Sequence, residues 1–316
     1  MNKLAAIILC FLLIWAVGCH KTQSEPPLWN VQKIWPRGSN PVPSPTGDGI
    51  LFMQEDPPAG LYLLRNGAAS ILNPTGPDAR ADYAWSSDGT RFCFSAPGAP
   101  GSDNAGIYVA FLNAPTEFQK FWDRGSHPRF LPGTEGIICA GTEDTINGGI
   151  YQIALTNPAP QQVVPQGTSP EISPDGSHIA YLVVGDIQGW TLVTINRETG
   201  RRDTLTNRVM RYNWLANSQY LVIETNVNNN SQQIATVSVP RSGSPNTVAS
   251  GTDPAPFPQG TGFVYTALAG DRLDGLFTAS VGQVPVRITH EGTFAVPASG
   301  NRILAQDSSG ILEITH

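Results

Sequence analysis

Apolar and polar residues alternate over short stretches for most of the chain, as in IYVAFL (107–112), IYQIAL (150–155), HIAYLV (178–183) and LFTASV (276–281). A period of two over such lengths predicts β-strands, and helical periodicity is nearly absent. The strands recur on a fixed beat. Turn-to-strand segments begin at Pro45 (PTGDGILFM), Ser87 (SDGTRFCF), Pro132 (PGTEGIICA), Pro174 (PDGSHIAYL), Ala216 (ANSQYLVI), Pro258 (PQGTGFVYT) and Ala298 (ASGNRILAQ), at spacings of 42, 45, 42, 42, 42 and 40 residues.

A second signature follows each of these: Gly60-Leu-Tyr, Gly106-Ile-Tyr, Gly149-Ile-Tyr, Gly189-Trp-Thr, Gln233-Ile-Ala, Gly275-Leu-Phe and Gly310-Ile-Leu. Each opens a further strand. A short segment with a bulky residue precedes most turns: YAW (83–85), PRF (128–130), PEI (170–172), YNW (212–214) and APF (255–257). A fourth segment closes each unit, such as AASIL (68–72), TEFQKF (116–121) and NTVAS (246–250). Asp-Gly and other Gly-containing pairs supply the positive φ that tight hairpins need. Four short strands every forty or so residues predict an all-β fold, a β-propeller of four-stranded antiparallel blades. Seven blades is the reading, with six as the alternative if the first or last copy is peripheral. The last copy stops at ILEITH (311–316) without a fourth strand, so VQKIW (31–35) is expected to pair beside it and close the ring.

The pattern Pro-x-[Trp/Phe/Ile]-Ser-Pro-Asp-Gly, then Ile-Ala-Tyr and Ile-Tyr, resembles the repeat of TolB-type (WD40-like) propellers. SPEISPDGSHIAYLV (169–183) carries the resemblance best, ADYAWSSDGTRFCFSA (81–96) is close, and the copies at 216, 258 and 298 lack the Asp-Gly. The resemblance extends over about 31–316. It implies a propeller and leaves the role open, because the same unit serves scaffolds, receptors and non-catalytic domains of peptidases. TolB-like propellers act as periplasmic partners of peptidoglycan-associated lipoproteins, so the resemblance implies a partner-binding role. This chain is expected to depart from them in lacking a separate N-terminal α/β domain and in carrying a lipid anchor of its own.

The N-terminus changes the picture. Lys3 precedes an apolar run from Leu4 to Val17, which fits the h-region of a secretory signal and is short for a membrane span. Ala16-Val17-Gly18-Cys19 resembles a bacterial lipobox, with Ala16 where Leu is usual. The expected organisation is a signal peptide at 1–18, a lipidated Cys19 and polar tether at 19–30, and one propeller at 31–316. His20 in place of Asp implies outer-membrane sorting facing the periplasm. A net charge of −6 without basic clusters argues against nucleic acid. Of four cysteines, Cys10 leaves with the signal and Cys19 takes the lipid. Cys93 and Cys139 sit in apolar strands of different units and read as buried small hydrophobes.

Catalytic patterns are sparse. The sequence has no Gly-x-Ser-x-Gly elbow, no Walker loop and no metal-ligand spacing among its five histidines. The acids of SDNAG (102–106) and EDTINGG (143–149) offer calcium ligands without the spacing of an EF-hand loop, and read as turn chemistry. No metal, no catalytic residue and no cofactor other than the N-terminal lipid is expected. The loops between second and third strands each contain or flank an acid: Glu55 and Asp56, Asp103, Glu143 and Asp144, Asp186, Glu224, Asp271 and Asp274, and Asp307. Loops entering the innermost strands bring Arg37, Arg80, Arg129, Arg208 and Arg211 to the same face. A mixed collar around the channel mouth is therefore expected, as an interaction surface on a rigid ring. Trp85, Phe130, Trp214 and Phe257 are expected at equivalent inner-strand positions, packing between blades.

The expected function is that of a non-enzymatic, monomeric, lipid-anchored envelope protein binding a protein or cell-wall partner through this face. Membrane contact is expected through the anchor alone. Two alternatives stay open: a lyase or glycan hydrolase with a site at the central channel, and a receptor for a sugar or small ligand.

Overall fold

The computed structural model describes residues 29–72, 82–96, 105–133, 136–141, 148–185, 189–228, 231–270 and 272–316. All regular structure among them is β, in 26 strands. After β1 (Asn30–Trp35) the strands follow in fours. The first quartet is β2 (Ser39–Pro43), β3 (Ile50–Gln54), β4 (Gly60–Arg65) and β5 (Ala68–Ile71), and the second is β6 (Tyr83–Trp85), β7 (Arg91–Ala96), β8 (Gly106–Phe111) and β9 (Ala114–Trp122). The third is β10 (Ser126–Phe130), β11 (Gly136–Ala140), β12 (Ile150–Ala154) and β13 (Asn157–Val164). Each is an antiparallel sheet in chain order.

The next strands form one ten-stranded sheet: β14 (Thr168–Ile172), β15 (His178–Val184), β16 (Trp190–Asn196), β17 (Arg202–Trp214), β18 (Tyr220–Asn228), β19 (Ser231–Ser238), β20 (Asn246–Pro256), β21 (Gly262–Ala269), β22 (Arg272–Ser280) and β23 (Val286–Thr289). Two of them serve twice. The first part of β17 pairs with β16 and its last part, from Val209, with β18. Likewise β20 pairs with β19 up to Ser250 and with β21 from Gly251. The ten strands therefore make three more quartets. The last comprises β24 (Thr293–Ala298), β25 (Arg302–Asp307), β26 (Gly310–Thr315) and β1, which runs antiparallel to β26 with Val31 opposite Ile314. Seven quartets are thus paired among the described residues, and N-terminal VQKIW completes the last as its sequence predicts.

The core lies between consecutive quartets. In β7, Phe92 and Phe94 join Leu51, Leu61 and Trp85 on one side, while Cys93 joins Ile137 and Cys139 on the other. Side chains of a strand alternate between faces, and both faces are covered here, so second strands such as RFCF and GIICA read as unbroken apolar runs. Each fully buried Phe or Leu contributes about 1.5–3 kcal/mol relative to exposure. The cycle closes where Ile34, Trp35 and Ile311 of the last quartet pack on Phe52, Tyr62 and Leu64 of the first. Cys93 and Cys139 are free thiols, buried as expected.

Polar stitches cross the same boundaries. Trp85 Nε1 donates to the Val42 carbonyl (3.0 Å), and Trp214 Nε1 to the Glu171 carbonyl (3.2 Å). Tyr83 and Tyr212 donate from their hydroxyls to the carbonyls of Asn40 and Ser169. One sequence expectation needs correcting. The residue facing the second position of the second strand is Trp85 opposite Phe92, Phe130 opposite Ile137, Trp214 opposite Leu221, but Pro256 opposite Phe263. Phe257 therefore lies one position beyond the place of Trp85, packed against the core between the last two quartets.

Turn chemistry is conserved between copies. Asp175 Oδ1 accepts from Ser173 Oγ (2.6 Å), Ser177 N (3.0 Å) and Ser177 Oγ (2.8 Å), and Asp88 Oδ1 repeats this with Ser86 and Thr90. These bonds favour the ionised carboxylates. The Ser86 hydroxyl, with Thr90, holds Asp88 down to about 2. At Asp175 partial burial pushes upward, and the hydrogen bonds outweigh it, so its pKa is also lowered.

Candidate binding face at the central channel

Ser39, at the start of β2, pairs with Met53 near the end of β3, so innermost strands begin at the rim where second-to-third-strand turns emerge. At this rim the inner strands share a bulge. The register shifts between Ser39 and Val42, Ser126 and Arg129, Thr168 and Glu171, Thr252 and Ala255, and Thr293 and Val296. Each shift contains a left-handed residue: Asn40 (φ 51°), His127 (52°), Ser169 (49°), Asp253 (53°) and Phe294 (49°). A bulge removes its residue from the ladder and frees its amide. Three of these amides are taken by side chains of the preceding quartet: Asn40 N donates to Gln306 Oε1 (2.6 Å), Asp253 N to Glu224 Oε2 (2.9 Å), and His127 N to Asp82 Oδ2.

Two residues beyond the bulge in these five strands, and at the equivalent place in β6 and β17, each inner strand presents one residue in the same register. Arg129 faces Ile138, Glu171 faces Ala180, Asn213 faces Val222, Ala255 faces Val264, Val296 faces Leu304, Val42 faces Leu51 and Ala84 faces Cys93. All seven line one cavity of about 470 Å³, together with Asn40, Asp82, Arg211, Asp253 and Phe294. The cavity is the mouth of the central channel.

Its charges are paired. Arg129 Nε donates to Glu171 Oε1 at 2.7 Å, and Nη1 lies 3.5 Å from Asp82 Oδ1, so one guanidinium ties the second, third and fourth quartets. Burial works against the Arg129 charge, but Glu171 and Asp82 outweigh it and raise its pKa. Asp82 also accepts from Ser95 Oγ (2.7 Å). On the other side Arg211 Nη1 is 2.8 Å from Asp253 Oδ1, and its guanidinium carbon stands 5.3 Å from the centre of the Phe294 ring. Burial raises the pKa of Asp253 against the opposing pull of Arg211. Glu224, fully buried, is raised by burial too, partly offset by the Asp253 amide.

The sequence-predicted face is only partly assembled by these residues. Arg129 and Arg211 reach the channel, from within β10 and β17 rather than from entry loops. Glu55 and Asp56 stand exposed on the turn after β3, and Arg37 is exposed before β2. Arg208 lies within β17. Glu224 departs from the expected collar: β18 continues past it to Asn228, and its carboxylate points inward to Thr252 Oγ1 (3.1 Å) and the Asp253 amide. Asp274 lies within β22 and pairs with Arg287 (2.6 Å), while Asp307 pairs with Lys33 of β1 (3.5 Å). Cys19, Arg80, Asp103, Glu143, Asp144, Asp186 and Asp271 lie outside the described residues, as do the signal and most of the tether. The sequence pattern does not single out Asp82, Glu171, Asn213, Asp253 and Phe294. A signal for two of them was present, since Glu171 and Asn213 are the central residues of PEI and YNW. Among the described residues no group of three His, Cys, Asp or Glu side chains is placed to hold a metal ion.

No protein-family model matches the chain, and no curated protein does. Solved structures are similar. An oligogalacturonate lyase in complex with manganese superposes with a TM-score of 0.67 at 13% identity, over 92% of this chain and 96% of that one. The β-propeller domain of Cps50 (Swd1) from Myceliophteria thermophila gives 0.63 at 11% identity, over 90% and 98%. TolB from Acinetobacter baumannii gives 0.51 at 17% identity, over 69% of this chain and 56% of that one. The chain thus spans little more than half the length of the TolB it matches. At such identities the likeness concerns the fold alone, a β-propeller fold that TolB shares.

Proposed function

We propose that the chain is a non-enzymatic, lipid-anchored envelope protein, exported and held at the outer membrane through Cys19. Its propeller, read as seven blades, binds a protein or cell-wall partner through the channel-mouth face. The observation that carries this reading is the state of the mouth's charges. Asp82, Glu171 and Asp253 are each engaged with an arginine, and Asp82 is engaged with a hydroxyl and an amide as well. General acid–base work asks for a group poised to exchange a proton with substrate. Fixed, mutually neutralised charges on a rigid ring instead favour selective recognition. Two measurements test the proposal. Cys19→Ala is expected to leave the membrane fraction, and its retention at wild-type level overturns the anchor. Capture from solubilised membranes is expected to lose its partner in a folded Arg129→Glu/Arg211→Glu variant, and unchanged capture overturns the face.

A second reading, a lyase or glycan hydrolase acting at the channel, draws on the likeness to the lyase over 92% of the chain. Release of unsaturated sugar from oligogalacturonate by the purified protein would replace the binding reading with it.

A further inference from the structure

The channel mouth is two-sided. Going round the ring, the in-register positions of the third, fourth and fifth quartets are Arg129, Glu171 and Asn213, whereas those of the sixth, seventh, first and second are Ala255, Val296, Val42 and Ala84. At these in-register positions one contiguous arc is charged or polar and the remaining arc is apolar, with Asp253, Asn40 and Asp82 also lining the cavity from the sixth, first and second quartets. Arg211 and Phe294 mark one seam, the guanidinium lying against the ring.

We infer that this cavity binds an apolar zwitterion: a hydrophobic amino acid, or a short hydrophobic peptide with both termini free. Two charged edges of the cavity remain open. Arg129 spends Nε on Glu171 Oε1 and Nη1 on the Pro128 carbonyl (2.9 Å) and Asp82, leaving Glu171 Oε2 without a partner among the described residues. Arg211 Nη1 lies against Asp253 Oδ1 as an ion pair without hydrogen-bond geometry, and Nε and Nη2 have no hydrogen-bond acceptor among the described residues. Both groups line the cavity from adjacent quartets. A carboxylate fits the open fork of Arg211, where two parallel N–H donors can serve two oxygens. An ammonium fits the open oxygen of Glu171. An anion alone leaves the Glu171 oxygen unmatched, and a cation alone leaves the fork unmatched. The apolar positions select further: a hydrophobic side chain gains burial against Val42, Val296 and Ala255. The volume of about 470 Å³ is within the range of small-molecule sites, about 300–1,000 Å³.

The inference does not depend on partner capture at the membrane, because it is read on purified full-length protein in detergent. Isothermal titration with leucine and with trileucine distinguishes the two sources of the zwitterion. Saturable binding of one or both is expected, weakened at least tenfold by N-acetylation and at least tenfold by C-amidation. Arg211→Gln is expected to weaken the uncapped ligand at least tenfold and to leave the amide unchanged, with Glu171→Gln doing the same against the acetylated ligand. Absence of binding by both zwitterions, or equal binding of doubly capped trileucine, overturns the inference. That outcome needs only the wild-type protein, so a variant that failed to fold would not shield it.

Discussion

Gly310 passes so close to Trp35 that a methyl group on its α-carbon would overlap the Trp35 carbonyl oxygen. Gly106 and Gly275 meet the carbonyls of Trp122 and Thr289 in the same way. In each case a positive-φ glycine of the third strand, the first residue of β8 and β26 and the fourth of β22, lies against the end of the fourth strand, which explains why the second sequence signature opens on Gly. In the last quartet that fourth strand is β1, from the other end of the chain.

Gly310→Ala is therefore expected to loosen the ring closure. The strained backbone costs of order 1–3 kcal/mol, with the displaced β1 adding to it. Gly67→Ala, at a positive φ with open space around it, provides the comparison. Urea midpoints should fall clearly further for Gly310→Ala than for Gly67→Ala, and equal falls would remove the steric explanation.

Trp214→Phe preserves most of the packing, since Phe130 fills the equivalent place in the third quartet, but leaves the Glu171 carbonyl without its indole donor. An unsatisfied buried acceptor costs about 1–3 kcal/mol. A loss of that size in chemical denaturation is expected, and Trp85→Phe should behave alike at the Val42 carbonyl.

Glu224 and Asp253 have raised pKa values in the folded protein, so the folded state holds more protons than the unfolded state just above the ordinary carboxylate range. Stability attributable to them consequently falls as pH rises through that window. Glu224→Gln keeps an acceptor for the Asp253 amide and removes the buried charge. The variant should match or exceed wild-type stability at pH 7 and lose the advantage below the carboxylate range. A uniform loss at every pH would contradict this.

Asp88 has the opposite sign. Its pKa is held at about 2 against an ordinary 3.8, so its contribution is complete above that value and is lost as pH falls toward 2. Asp88→Asn should flatten the acid limb of the stability curve, with Asp175→Asn acting in the same direction. Midpoints measured between pH 5 and 2 check it.

Burial pushes both the Cys93 and Cys139 thiols well up, away from the reactive thiolate. Mass mapping after native-state alkylation should find neither modified, and denaturant should expose both together.

What the sequence made legible was local. Asp175 and Gly176 announce their turn because the bonds that make it lie within five residues. YAW matches β6 to the residue. Glu224 was misplaced because its neighbours continue the alternation of a strand, and its partner Thr252 belongs to the next quartet. Phe257 is misaligned by a match on bulky residues alone, because the position equivalent to Phe130 is held by Pro256 and the aromatic ring stands one residue later. The meeting of Asp82, Arg129 and Glu171, which come from three quartets, depends on the curvature of the whole ring, and no spacing along the chain encodes that.

The double service of β17 and β20 has a mechanical consequence. Elsewhere one sheet ends before the next begins, so a unit can breathe without unzipping its neighbour. Between Thr168 and Thr289 every opening must break the ladder of the adjoining unit too. That stretch should exchange its amide protons as one cooperative body, slower than the rest. Glu171, Arg211, Asn213 and Asp253 are all mounted on it, so the polar side of the channel mouth, apart from Arg129 on β10, should ride on the slowest-exchanging segment.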